Sequence, residues 1–500
     1  MRKHAAAVGI VFLITIALYS RVSGAFFCGF DDFNEVHRAA FEDSPRPGLM
    51  FTTSHFNTSK YRPLNRVLTL ISYRAGGFSA KYFRLRNLLF HLLAIAALYG
   101  ISFLLFDSLS AAAAGALLFA VSPLVNQNLT AAIFTNTAAY SLLLVALFLF
   151  IYSFRAPGQR IAYLLLALFL SVVALFAYES TIVLFGVIAA YLAFAALEGK
   201  RPHSVSAVYT ALLAAGSLVA AGIYLFARAM VVTQKSPLVP VAAILRSFAA
   251  YTAALLSPID PVFANYCCSL PLPPVLRLSR GAVLLLMLVA TAFVAVVVAL
   301  MRRPRVRHAF GLVRWHSVAW LLASAFIALL PFVLFTDHVS ETYLYLPEAF
   351  YSVALTAILS RVLPLRVYAA VVIALAALYV TSSLIRNQRV ISCGNIAARI
   401  LSQLPLKQWE TGSHRVALAE CAGETELPHY GVYGYDGLST IDTGLPGLGA
   451  AQSALQLATL NRAVKAEVDN GSALCPAGNE CFCVMKDGKV LQRNAPSPGR

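Results

Sequence analysis

Residues Cys28 to Arg38 read CGFDDFNEVHR and follow directly on the first long apolar run, HAAAVGIVFLITIALYS. Two adjacent acids, Asp31 and Asp32, therefore stand just past the end of a helix apolar enough to enter a bilayer. Carboxylates beside a bilayer are costly to place unless water or a partner meets them. The same segment goes on to Glu35, His37, Glu42 and Asp43, and then to a basic set, Lys60, Arg62 and Arg66. Acids and cations held over a membrane surface suit transfer from an anionic lipid-linked substrate to a hydroxyl. A carboxylate takes the hydroxyl proton as general base. An arginine or lysine holds the departing phosphate, where negative charge develops. Taken singly, two acids after a helix end are ordinary solvated residues; the company they keep gives them weight.

Further polar residues sit inside or beside apolar runs. Asn87 and His91 are four apart, hence on one helical face. Polar groups within a span face the protein interior, where they line a functional path or make an interhelical hydrogen bond with no chemistry. Glu179 and Glu341 fall at helix ends, as cavity acids or as solvated caps. Asp337, His338 and Glu341 could bind a divalent cation, though such a trio also reads as solvated loop, and no metal ligand set is assigned. The C-x5-C-x-C pattern at 475–483 is a thin zinc signal.

These residues need a membrane scaffold, and the composition supplies one. The chain is 59% hydrophobic and 12% charged, about half the charge of a soluble protein. Spans are expected near 5–21, 82–106, 110–127, 131–154, 161–178, 180–198, 205–228, 281–300, 316–335, 343–361 and 367–385, about eleven in all. The first is expected to be a retained helix rather than a cleaved leader. Alternate connections are basic, notably MRRPRVRHAFGLVR, so the net charge of +17 is topological. It places the amino terminus in the cytoplasm and the carboxyl terminus outside a cell inner membrane. A nucleic-acid surface would instead gather on one domain. All eight cysteines fall on the outer side, where disulfides persist, with the pairing open.

The expected organisation is therefore an all-α polytopic membrane domain over 1–385 and a small α+β extracytoplasmic domain over 386–500, stapled by disulfides. The membrane domain carries outer loops at 22–81, with interfacial helices, and at 229–280, with a re-entrant apolar stretch. The end of the chain, CFCVMKDGKVLQR, reads as two strands around an Asp-Gly turn.

The order of first helix, Asp-Asp loop and YRPLNRVLTLISYRAGGFSAKYFRLRNLLFHLLAIAALYG resembles the GT-C superfamily of polyprenyl-phosphate-sugar-dependent glycosyltransferases, protein O-mannosyltransferase-like members above all. SPLVNQNLTAAI, FAYESTIVLF and ETYLYLPEAFY are similar to further segments of that family, in the same order. The resemblance covers roughly 25–185, returns at 337–350 and is absent from the carboxyl-terminal domain. It implies inverting transfer, with Asp31 as catalytic aspartate, Asp32 as the acid that follows it, and Arg62 at the donor phosphate. The chain departs from the family where Gln127, Thr135 and Thr137 replace charged residues, where Tyr178 precedes Glu179, and where Thr342 follows Glu341.

The expected function is transfer of a monosaccharide from a polyprenyl-phosphate carrier to a hydroxyl of a protein, glycan or lipid. Asp31 and Asp32 would be catalytic, with Lys60, Arg62 and Arg66 at the phosphate. Asn87, His91, Glu179, His338 and Glu341 would line the cavity, and membrane lipids surround the protein. A flippase of a lipid-linked sugar is the alternative from another class, and an inactive scaffold is a third. A transporter is expected to show internal repeats with interrupted helices, and none is found.

Overall fold

Long apolar sequence with a polar minority folds here as a helix bundle that ends in a small sheet. The computed structural model describes residues 2–29, 32–54, 60–132, 136–197, 204–232, 239–257, 313–334, 341–421, 450–469 and 479–493, with single positions at 288, 291 and 441. Asp31 and His338 lie outside the described residues, as do the catalytic and cavity roles expected of them.

The helices are α1 (Arg2–Ser23), α2 (Asp32–Arg38), α3 (Leu49–Thr52), α4 (Pro63–Gly76), α5 (Ala80–Phe106), α6 (Leu109–Val121), α7 (Asn126–Thr130), α8 (Asn136–Ser153), α9 (Arg160–Ala177), α10 (Val183–Leu197), α11 (Ser204–Val231) and α12 (Val241–Leu256). After them come α13 (Trp315–Leu329), α14 (Tyr345–Val362), α15 (Leu365–Gln403) and α16 (Ala450–Thr459). Ten of the expected spans coincide with helices, and the one near 281–300 lies outside the described residues. Among the described residues six helices are long and apolar enough to cross a membrane, or seven if a bent pair is one span. Large apolar side chains such as Leu13, Phe169, Leu218 and Ile373 are more than half exposed on α1, α9, α11 and α15. A soluble surface seldom gathers so many; a lipid-facing one requires them. This is an integral, multi-pass, all-α membrane protein.

The bent pair is Leu109–Val121 with Pro123–Thr130, turned by 53°. Pro123 cannot continue the helix, because its nitrogen carries no hydrogen and its ring meets the preceding turn. Ser122 Oγ accepts from the Leu124 amide at 3.3 Å and restarts the chain in a new direction. The expected span at 131–154 accordingly starts later, at Asn136, and SPLVNQNLT becomes a short buried helical piece within the bundle.

The sheet has the order β2-β1-β3-β4, from β1 (Arg415–Glu420), β2 (Lys465–Asp469), β3 (Glu480–Val484) and β4 (Val490–Arg493). β1 runs parallel to β2 and β3, with α16 between β1 and β2 in sequence. β3 and β4 form the expected hairpin, with Gly488 at φ +82° where an L side chain would be strained. Cys421 and Cys483 form a disulfide, and Cys481 is also disulfide-bonded. A thiolate tied up in a disulfide cannot ligate zinc, so the metal reading of 475–483 fails.

The expected boundary at 385 falls within α15. α15 passes through it as one helix of 39 residues and reaches the sheet, where Gln403 Nε2 donates to Gly488 O at 2.8 Å. Composition changes at Arg386 while the helix and its backbone hydrogen bonds go on unbroken.

Candidate active site

Asp32 opens α2 and is buried. Phe27, Phe33 and Val36 around it enter one apolar core with Phe83 of α5, Ala397 and Ile400 of α15, Trp409, and Val416, Leu418 and Phe482 of the sheet. α2 also hydrogen-bonds to α16: His37 Nε2 meets Gln456 Oε1 at 2.6 Å, and Ser453 Oγ donates to Asn34 Oδ1 at 2.8 Å. The acid-bearing loop is therefore built on the carboxyl-terminal sheet region as much as on the bundle. Burial pushes the His37 imidazole below the usual histidine range, outweighing the opposing pull of Gln456.

Arg84 and Arg86 of α5 hold this loop. Arg84 donates to Thr130 O at 2.5 Å, to Phe26 O at 3.0 Å and to Ala25 O. Arg86 donates to Asn87 Oδ1 at 3.0 Å, Ala132 O at 2.9 Å and Ser72 Oγ at 3.2 Å, and lies within electrostatic reach of Asp32. The signal was present in FRLRN, since arginines inside an apolar helix are expensive unless employed. Asn87 in turn donates to Ala131 O at 3.0 Å. Asp32, Arg86 and Asn87 thus form one polar cluster.

A second cluster forms around Arg62. Its Nε and Nη2 donate to the two Glu179 oxygens, both at 2.6 Å, and its guanidinium lies 4.2 Å from the Tyr178 ring centroid. Burial alone would lower its pKa, but the Glu179 carboxylate more than offsets this and holds the guanidinium above the usual arginine range. Lys60 and Tyr343 lie within electrostatic reach of the pair. Tyr224 OH donates to Tyr61 O at 3.1 Å, which fixes the backbone just before Arg62.

Arg66, expected at the donor phosphate, is engaged inside the protein. Arg66 is 2% exposed and spends its donors on Asp43 (Nε at 3.2 Å, and Nη2), Leu49 O at 3.2 Å and Thr53 Oγ1 at 2.7 Å. It clamps the first loop. Glu341 pairs with Arg386, whose Nη2 donates to Oε1 at 2.7 Å and whose Nη1 donates to Pro123 O at 2.7 Å. The cation that meets Glu341 thus comes from α15, while its neighbour Thr342 is uncharged.

His91 is fully buried between Tyr345 OH, 2.8 Å from Nδ1, and Ala120 O, 3.3 Å from Nε2. A carbonyl can only accept, so Nε2 carries the proton and Nδ1 accepts from the tyrosine. Tyr345 stacks on Tyr140, whose hydroxyl lies 3.1 Å from Ser180 Oγ, one residue beyond Glu179. A polar thread thus runs from Glu179 into the bundle. Another buried acid, Glu348, accepts from Ser352 Oγ at 2.8 Å; it lay unremarked in YLPEAFY, masked by the motif around it. No group of three or more metal-ligating side chains is found among the described residues.

No protein-family model matches the chain, and no curated protein matches its sequence. Solved structures do resemble it. An Archaeoglobus fulgidus oligosaccharyltransferase in the apo form aligns with 86% of this chain at 14% identity and TM-score 0.47. The Archaeoglobus fulgidus oligosaccharyltransferase AglB in complex with an inhibitory peptide and a dolichol-phosphate aligns with 83% of it at 12% identity and TM-score 0.45. The chain spans 62% of the length of that AglB structure. ArnT from Cupriavidus metallidurans bound to undecaprenyl phosphate aligns with 96% of this chain and 92% of its own, at 15% identity and TM-score 0.43.

Proposed function

We propose that this protein is a GT-C-type glycosyltransferase that moves a monosaccharide from a polyprenyl-phosphate carrier to a hydroxyl acceptor, on the side of the membrane where the sheet lies. The alternation of basic connections supports reading that side as the extracytoplasmic face. The observation that carries the reading is the buried Asp32 beside Arg86, with a second polar cluster of Lys60, Arg62 and Glu179 in the same chain.

In this reading Asp31 and Asp32 take the acceptor proton as the hydroxyl attacks the anomeric carbon. The carbon–phosphate-oxygen bond breaks, and polyprenyl phosphate leaves as an anion that needs no proton. Attack from the face opposite the leaving group inverts the centre. Lys60 and Arg62 receive the phosphate, and Glu179 holds the Arg62 fork in place until it arrives. Asn87 orients Arg86. His91, Glu341 and His338 line the cavity or support its walls, and Arg66 keeps the loop folded.

Membranes carrying the protein and a radiolabelled polyprenyl-phosphate sugar test the reading. Transfer is expected to fall at least 100-fold in Asp31→Asn or Asp32→Asn, the scale of losing a general base. Full transfer in both variants would refute it. Uptake of the intact lipid-linked sugar with no transfer would instead establish the flippase.

A further inference from the structure

Cys28 and Cys393 are buried thiols, 1% and 3% exposed, that meet across the junction of the first loop and α15. Their meeting is built into the backbone. Gly394 has no side chain, and a Cβ placed there would lie 2.7 Å from Phe26 O and 3.0 Å from Phe26 N. Loop and helix therefore touch main chain to main chain, two residues before Cys28 and one after Cys393. Arg84 grips Ala25 O and Phe26 O from the other side, so the loop cannot withdraw without breaking buried charge-assisted hydrogen bonds.

Both cysteines lie on the sheet side. Cys28 comes just after α1, and Cys393 lies about 42 Å along α15 at 1.5 Å per residue, beyond a hydrocarbon core of roughly 30 Å. On that same side Cys421 and Cys483 are already joined. A compartment that keeps one pair oxidised oxidises another whose thiols lie within hydrogen-bonding reach.

We propose that Cys28 and Cys393 close as a disulfide in the mature protein, locking the base of the Asp31–Asp32 loop to α15. The two thiols give up two protons and two electrons to a disulfide carried by an oxidoreductase on that face, which leaves as a dithiol. One S–S bond forms and one is reduced. Cys393, together with burial, pushes the Cys28 thiol well above its usual range, so the attacking thiolate is scarce once the fold has closed. The bond accordingly forms during folding and exchanges slowly afterwards; it is a structural lock and not a redox switch.

The protein is taken from membranes lysed in SDS with N-ethylmaleimide present throughout and is digested without reduction. The expected product, read by mass spectrometry, is a linked peptide pair containing Cys28 and Cys393, lost on reduction, with less than a tenth of either cysteine carrying maleimide. Maleimide on both cysteines in most copies would overturn the proposal, as would linkage of either to a different cysteine. Because the readout is chemical, it stands apart from the transfer assay.

Discussion

Arg62 is held by both oxygens of Glu179 and lies over the ring of Tyr178. A phosphate that reaches it competes with a carboxylate rather than with water. Arg62→Ala should raise the donor KM at least tenfold in membrane transfer assays, and Arg62→Lys should fail to restore it, because an ammonium cannot fill a bidentate, stacked site. Arg66 belongs to a different case. Its pair with Asp43 is closed to solvent on both sides, and breaking such a pair leaves a buried charge, at a cost of about 3–5 kcal/mol. Asp43→Ala should therefore lower the melting temperature in detergent by several degrees, while donor KM among molecules that remain folded stays unchanged. The types and spacing of Lys60, Arg62 and Arg66 mark a basic strip; which arginine is spent on an internal carboxylate follows from where Asp43 and Glu179 arrive, and no local pattern records that.

At the scale of elements, the bond between α2 and α16 decides where Asp32 stands. Its most pH-sensitive member is His37, whose imidazole is neutral in the fold because burial lowers its pKa. The unfolded side chain titrates at about 6.5, so docking is complete above that pH and is lost progressively as pH falls from there toward the lower folded value. The protection factors of residues 32–38, with exchange corrected for its intrinsic pH dependence, should fall at pH 5.5 relative to pH 7.5, and His37→Gln should flatten the difference. The helices themselves were readable from apolar runs, as was the 485–489 turn from Asp-Gly. The kink at Pro123 was hidden because Leu124 and Val125 carry the apolar run of 111–121 past it. Contacts such as Asn34 with Ser453 join residues hundreds of positions apart, and no periodicity reaches that far.

At the scale of the whole molecule, the first loop and the sheet share one core around Trp409. Composition separates 386–500 from the membrane domain, yet folding joins them, because the apolar faces of α2, α15 and β1 have no other cover. Trp409 is fully buried and its Nε1 donates to Glu480 at 3.0 Å. Trp409→Ala should cost about 3–5 kcal/mol. It should reduce sugar transfer although the residue stands away from Asp32, with faster exchange at 32–38 as the sign that the route runs through the core.

α15 runs from the bundle to the sheet in one piece, a rod of about 58 Å. Tilting such a rod by a single degree displaces its far end by about 1 Å, more than the half-ångström or so that a reacting geometry forgives. An apolar stretch that outruns the bilayer is accommodated in part by tilting, so lipid chain length is expected to act as a dial on the proposed transfer, turned from a place no substrate touches.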